Sequence, residues 1–301
     1  MSTLSQKLRY VLAGLLRNNP ELLFKLNYYR KNKRWLNTKH PKILYDKIAY
    51  MAFHTDTTLW SELADKVGIN KYLKEQGFEN NAPEILGVWE DANQIDFNKL
   101  PNQFVLKTNN ASATNIIVQN KKNLNIEKVR KQLNEWLIDN YGQKTAQPHY
   151  SRIKPLILAE AFLIDDETNR KGKLLTDYKF YCINGKPKYV QVMTDRKANT
   201  HDFKIALLDM NWVEHNHFLT NEHKTPNILS KPESFEQMKK IVMELAKPFP
   251  FVRVDLYDIN GNAVVGELTF TPGLDTLNSS FMELIGPQID INPWIEKYGK
   301  K

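Results

Sequence analysis

A chain of 301 residues, 42% hydrophobic and 25% charged, has the make-up of one large folded domain or two modest ones, which excludes a disordered chain. The single cysteine, Cys182, excludes an internal disulfide, and no apolar stretch approaches the ~20 residues that span a bilayer. The formal net charge of +8 points to an acidic partner, and charge alone does not choose among a nucleotide, a uronate polymer, anionic lipid and nucleic acid.

Leu4, Leu8, Val11, Leu12 and Leu15 recur at helical spacing with Lys7, Arg9 and Arg17 between them. Pro20 opens a second helix, with Asn18 and Asn19 as cap candidates. The run Val11 to Leu16 is too short for a secretory signal, so the expected address is cytoplasmic. The basic helices and the segment Tyr28 to Trp35 dock on the body of the protein or rest peripherally on the inner face of an anionic membrane. Pro41 starts a further helix through Ile43, Ile48 and Met51.

From Asp56 onward helices and strands alternate. Leu59 to Gln76 reads as a helix closed by Gly77, and Glu84 to Trp89, Gln103 to Lys107 and Asn115 to Gln119 read as strands. Glu127 to Tyr141 is an amphipathic helix ending at Gly142, and Pro155 to Ile164 is an apolar strand. A hairpin follows, Tyr178 to Ile183 and Lys188 to Val192 around Asn184-Gly185, with Cys182 as a small core hydrophobe. Pro232 to Lys247 is a helix, and Phe251 to Tyr257 with Val264 to Phe270 form a second hairpin around Asn260-Gly261-Asn262. The class is α+β.

The last hairpin carries the strongest chemical signal. Strand alternation puts Arg253, Asp255 and Tyr257 on one face of their strand, and Glu267 and Thr269 together on theirs. Two carboxylates meeting across a hairpin beside an arginine suit a hard cation that carries nucleotide phosphates. A two-residue turn without a bulge would put Asp255 and Glu267 on opposite faces. A three-residue loop or a bulge sets them opposite each other, and the loop is the form expected. Upstream, the strand Phe104 to Lys107 runs into Thr108 to Thr114, small and polar throughout, where backbone N–H groups can approach phosphate beside the lysine. The glycines and the Gly-Lys-Ser/Thr ending of a Walker loop are missing.

Asp65-Lys66, Phe104-Val105-Leu106-Lys107, Leu158 to Leu163, Asp177-Tyr178-Lys179-Phe180, Asp195-Arg196, Val252 to Tyr257 and Gly266 to Phe270 follow one another in an order that resembles the ATP-grasp superfamily. Their wording is similar to the TupA-like group of teichuronopeptide biosynthesis, over roughly 41–289. The resemblance implies an ATP-grasp fold, two α+β subdomains clasping ATP with an extra helical N-terminal region. The boundaries expected are 1–40 for that region, 41–100 for a helical lead-in, 101–164 for the first subdomain and 165–301 for the second.

The resemblance also implies roles. Lys66 and Lys107 would touch the ATP phosphates, with Ser112 and the loop 109–114 covering them. Glu160, Phe162 and Leu163 would present the strand edge to adenine, and Asp177 would hold the ribose. Asp255, Glu267 and Thr269 would hold magnesium. Arg253 would steady an acylphosphate, and Lys179 and Arg196 would meet phosphate or an acidic substrate. Many relatives read Glu-x-Asn where this chain reads Glu267-Leu268-Thr269, so one or two magnesium ions stay open. The implied reaction is ATP-dependent ligation of a carboxylate, a hexuronate or polysaccharide precursor, to an amine such as an amino acid, without nucleic acid. A glycosyltransferase of the same pathway and a non-enzymatic polyanion-binding module are the alternatives. Duller readings stand beside each role: Lys66 as a solvated helix lysine, Asp177 as a turn cap, Glu160 as an edge-strand charge, Lys179 and Arg196 as surface charges. His215 and His217 alternate on a possible strand without further zinc ligands, while His149, His201 and His223 read as loop residues.

Overall fold

The computed structural model describes residues 11–166, 173–196, 203–220, 229–273 and 275–300; His201 and His223 lie outside them. It contains two compact units. One comprises the described part of Met1–Leu36 with Ala52–Ile69 and Pro83–Phe162, and the other comprises Asn37–Met51, Asn70–Ala82 and the described part of Leu163–Lys301. Helices and antiparallel sheets make the architecture α+β.

In the first unit, helix α1 (Pro20–Asn32) starts as expected, with proline in its first turn and the Asn19 side chain accepting from Leu22 N–H. Strands β1 (Ile85–Trp89), β2 (Phe104–Thr108), β3 (Asn115–Val118) and β4 (Ile157–Ala161) form a sheet ordered β1-β4-β2-β3. The register pairs Leu106 with Ala159 and Val105 with Glu160. Phe104, Leu106, Ile157 and Ala159 therefore share the face that buries Val129 and Leu133 of the helix Ile126–Ile138. Lys107 and Glu160 are left on the opposite face.

In the second unit, β5 (Asp177–Ile183), β6 (Lys186–Thr194), β7 (Lys204–Asp209), β8 (Phe251–Ile259) and β9 (Asn262–Thr269) are ordered β7-β6-β5-β8-β9. The helix Phe235–Ala246 covers one face, its Phe235 ring stacked 6.1 Å from Phe180. Phe180 pairs with Val254, whereas Lys179 pairs with Asp255 and Tyr181 with Arg253. One face is thus apolar and helix-covered, and the other carries the charges. Cys182, on the covered face, is a core residue whose thiol burial pushes up.

The second hairpin differs from expectation in how it reaches its register. Its loop has two residues, Asn260 and Gly261, both with positive φ (51° and 81°), and Ile259 pairs with Asn262. Asp255 still faces Glu267, because the register shifts by a bulge between Asp255 and Leu256. The extra residue is Gly266, where a Cβ would come within 3.0 Å of the Tyr257 ring.

Four other elements depart from the sequence reading. The helix expected over Leu59 to Gln76 is two, Thr58–Ala64 and Gly68–Glu75. Asp65 between them is extended, and its carboxylate accepts Val67 N–H at 2.8 Å, an alternative to the helical bond. The helix expected to run to Tyr141 stops at Ile138. Gly142 lies inside a second short helix, Tyr141–Thr145, where a Cβ would meet Ser151 N at 2.4 Å. The edge strand β7 is one the sequence reading leaves unassigned. His215 and His217 sit at a short 3-10 turn, Asn216–Phe218, rather than in a strand.

His149, expected in a loop, belongs to the short helix Pro148–Ser151 and is fully buried, edge-on to Trp60 at 5.7 Å between centroids. Burial, aided by Arg152, pulls its pKa from 6.5 to about 3. The unfolded chain takes up this proton below pH ~6.5 and the folded chain does not, so stability drains as pH falls through that window, by about 2 kcal/mol at pH ~5. A His149→Leu variant is expected to show a shallower fall of melting temperature between pH ~6.5 and ~4. An unchanged slope would contradict the assignment.

Candidate functional site

The register of β5, β8 and β9 builds a chain of alternating charges on the face away from the helix. Arg196 Nη1 pairs with Asp177 Oδ2. Lys179 Nζ lies 3.6 Å from Asp177 Oδ2 and 2.8 Å from Asp255 Oδ2. Arg253 grips both Asp255 oxygens, Nε to Oδ1 at 2.6 Å and Nη2 to Oδ2 at 2.7 Å, and extends Nη2 to Glu267 Oε1 at 3.3 Å. Thr269 accepts from Arg253 at 3.2 Å and donates to Glu267 Oε1 at 3.2 Å. Asp195 has a positive φ of 56° just after β6, and its own pairs with Lys173 and Lys204 hold the turn that delivers Arg196.

Asp255 is 2% exposed. Burial works against its charge, but Arg253 and Lys179 outweigh it and hold the carboxyl below its ordinary range. Burial likewise opposes the Arg253 charge, and Asp255, Tyr181 and Glu267 reverse this and raise its pKa. The Tyr181 phenol is pushed up to about 12 by burial. Tyr257 is pushed up by the Asp177 charge first, then by burial and Glu267. Glu267 differs from Asp255: its side chain is 37% exposed and its Oε2 has no protein partner among the described residues. Carboxylate and hydroxyl oxygens converging here are donors for a hard divalent cation that keeps waters or takes phosphate oxygens. Among the described residues no cluster of three His, Cys, Asp or Glu competes with this pair.

In the first unit, Lys107 Nζ pairs with Glu160 Oε2. Glu160 is buried on the interior strand β4, so it is not an edge-strand charge. The loop after Lys107 is closed by the Thr108 hydroxyl on Thr114 Oγ1 at 2.7 Å, with Ala113 at φ 60° and Ser112 exposed. Lys66 lies in the break between helices, not within one, and its Nζ donates to Ala111 O at 2.6 Å. Phe162 and Leu163 follow β4 half-buried.

Two kinds of residue escape the sequence reading. Asn109, fully buried, donates to Asp65 Oδ1 (2.9 Å) and Lys154 O (3.0 Å) and accepts from Leu156 N–H (2.7 Å), anchoring the loop. Tyr181 donates to Gln191 Oε1 at 3.2 Å, and Gln191 Nε2 to Thr276 Oγ1 at 2.6 Å, a buried polar path leading away from Arg253. The period of two places Tyr181 with Asp177 and Lys179, but nothing local names Gln191 as its partner.

The sequence profile described as TupA-like ATPgrasp matches residues 46–290. The chain belongs to the TupA-like ATP-grasp family. Among solved structures, it is similar to the D-alanine–D-alanine ligase from Bacillus anthracis complexed with ATP, at 15% identity over 81% of this chain and 70% of that one, with a TM-score of 0.50. The D-alanine–D-alanine ligase from Helicobacter pylori aligns at 14% identity over 81% and 68%, with a TM-score of 0.46. The L-amino acid ligase from Bacillus licheniformis aligns at 13% identity over 77% and 48%, with a TM-score of 0.46, so this chain spans about half of its length. At 15% identity the likeness to the Bacillus anthracis structure shows the fold alone, in agreement with the family the profile gives. No curated protein matches the sequence, and no helix among the described residues is long and apolar enough to cross a membrane.

The two facing carboxylates of this ATP-grasp chain should answer differently to the same change. Asp255→Asn leaves Arg253 and Lys179 buried with unbalanced charge and is expected to cost about 3 kcal/mol or more. Glu267→Gln, at a part-exposed group held through one oxygen by Arg253 and Thr269, is expected to cost less than about 1 kcal/mol. Urea unfolding of both variants checks this, and equal losses would show that Asp255 is not the anchor.

Proposed function

We propose that this protein is an ATP- and magnesium-dependent carboxylate–amine ligase acting in the assembly of a surface polysaccharide. The observation that carries the reading is the ion chain ending in Asp255 and Glu267. It sets two oxygen donors opposite each other with Arg253 touching both. Family membership supports it over the glycosyltransferase.

In the second unit, Asp255 and Glu267 would hold magnesium, and Thr269 fixes the Glu267 oxygen by its hydroxyl bond. When bound, magnesium offsets charge on the ATP phosphate oxygens. Arg253, held flat by two bonds to Asp255, faces charge that develops on the transferring phosphoryl group. Asp177 takes the ribose hydroxyls, and Arg196 and Lys179 receive phosphate or an acidic substrate. In the first unit, Lys107 meets phosphate, and Lys66 with Asn109 keeps the loop 109–114 in shape; Ser112 stands exposed on that loop. Glu160, Phe162 and Leu163 present the adenine-side edge.

A substrate carboxylate oxygen attacks the γ-phosphorus and ADP leaves. The amine then attacks the acyl carbon, phosphate leaves, and the nitrogen gives up a proton, forming an amide. A hexuronate supplies the carboxylate and an amino acid or similar amine the nucleophile. The protein is placed at the cytoplasmic side, where ATP is available.

A ligand that binds only the folded chain at about a hundred times its Kd stabilises it by ~2.7 kcal/mol. Magnesium with ATP is therefore expected to raise the melting temperature of the wild type, and Glu267→Gln is expected to lose the magnesium-dependent part while melting normally without ligand. Lys107→Met is expected to lower ADP release in the presence of a hexuronate and amines by about a hundredfold. No rise with ATP at millimolar concentration would remove the ligase reading.

A further inference from the structure

The charge chain is complete without a metal ion. Asp177, Asp255 and Glu267 supply three negative charges, and Arg196, Lys179 and Arg253 supply three positive ones, each in contact with an opposite neighbour. The two phenols next to this chain, Tyr181 and Tyr257, are both pushed toward their neutral forms. Asp255 Oδ1 is taken by Arg253, and Oδ2 by Arg253 and Lys179 together. Lys179 is itself 14% exposed, so its ammonium sits where an oxygen-seeking cation would have to reach.

We infer that Lys179 is a resident counter-ion that keeps Asp255 from binding a divalent cation on its own. Metal then enters only together with an anion. A free divalent ion would have to displace an ammonium at 2.8 Å and would leave two uncompensated positive charges on a largely buried sheet face. A polyphosphate removes both obstacles, because it supplies the missing negative charge and gives the displaced ammonium a new acceptor. Arg253 does not serve as the displaceable cation. Its fork is fixed by Asp255, Glu267 and Thr269 at once, whereas Lys179 is a single ammonium on a flexible stem between Asp177 and Asp255. Lys179 is thus a positioning residue that imposes order on binding, and the inference rests on the metal assignment to Asp255 and Glu267.

Manganese titration followed by electron paramagnetic resonance, with no nucleotide present, tests it on the full chain. The wild type is expected to bind Mn²⁺ alone weakly. Lys179→Met and, as a second variant retaining a polar group, Lys179→Gln are expected to bind it at least about tenfold tighter. Adding Glu267→Gln to either variant is expected to abolish the gain, which locates the ion. Wild type and both Lys179 variants binding Mn²⁺ alone with equal affinity, tight or weak, would overturn the inference, as would a gain that survives Glu267→Gln. A parallel titration of the wild type with Mn²⁺ and ATP separates the two claims. If that shows no nucleotide-dependent uptake the ligase reading falls, while the nucleotide-free comparison of wild type and Lys179 variants still judges the role of Lys179.

Discussion

The second unit depends on the requirement that a buried charge be paired. Asp255 is almost without solvent, and an isolated carboxylate there would cost several kcal/mol. The sheet meets that cost by running opposite charges from Arg196 through Asp177, Lys179, Asp255 and Arg253 to Glu267. Each link needs a register. Lys179 must lie across from Asp255, and Asp255 across from Glu267, which the two-residue turn alone would forbid. The bulge at Gly266 repairs the parity, and the small residue leaves room for the Tyr257 ring. The apolar alternation that buries Phe180 and Val254 under a helix is the other half of the same pattern.

The first unit solves a smaller version of the problem. Lys107 and Glu160 stand on the sheet face away from the core and neutralise each other. The loop beyond Lys107 has no glycine to ease its turns. Its shape is instead set by side chains, with Asn109 spending its whole carboxamide on three anchors and Thr108 closing on Thr114. Such a loop is held before any ligand arrives, which lowers the ordering cost of binding a phosphate.

Much of this was legible in the residues because strand alternation is a local signal. Arg253-x-Asp255-x-Tyr257 and Glu267-x-Thr269 declare shared faces without any tertiary knowledge, and the Asn-Gly pairs declare their turns. What was not legible depends on competition or distance. Asp65 breaks a helix that the apolar periodicity supports, because its side chain takes a backbone N–H for itself. Gly142 looks like a helix stop but is a close-packing residue, and the approach of Ser151 and of the Gln147 carbonyl explains it. The pairing of Lys107 with Glu160 joins residues 53 positions apart, and that of Tyr181 with Gln191 depends on the exact register of the expected hairpin. The three-residue loop expected at 260–262 and the bulge seen at Gly266 give the same facing pair, so the consequence was readable when the device was not.

The most direct test of the central claim is a crystal structure grown with manganese and a non-hydrolysable ATP analogue, with the metal located by its anomalous signal. The account predicts a peak about 2.1 Å from oxygens of Asp255 and Glu267 and from phosphate oxygens, with the Lys179 ammonium moved off Asp255. A metal peak away from both carboxylates, or a nucleotide bound with the ion chain unchanged, would contradict it.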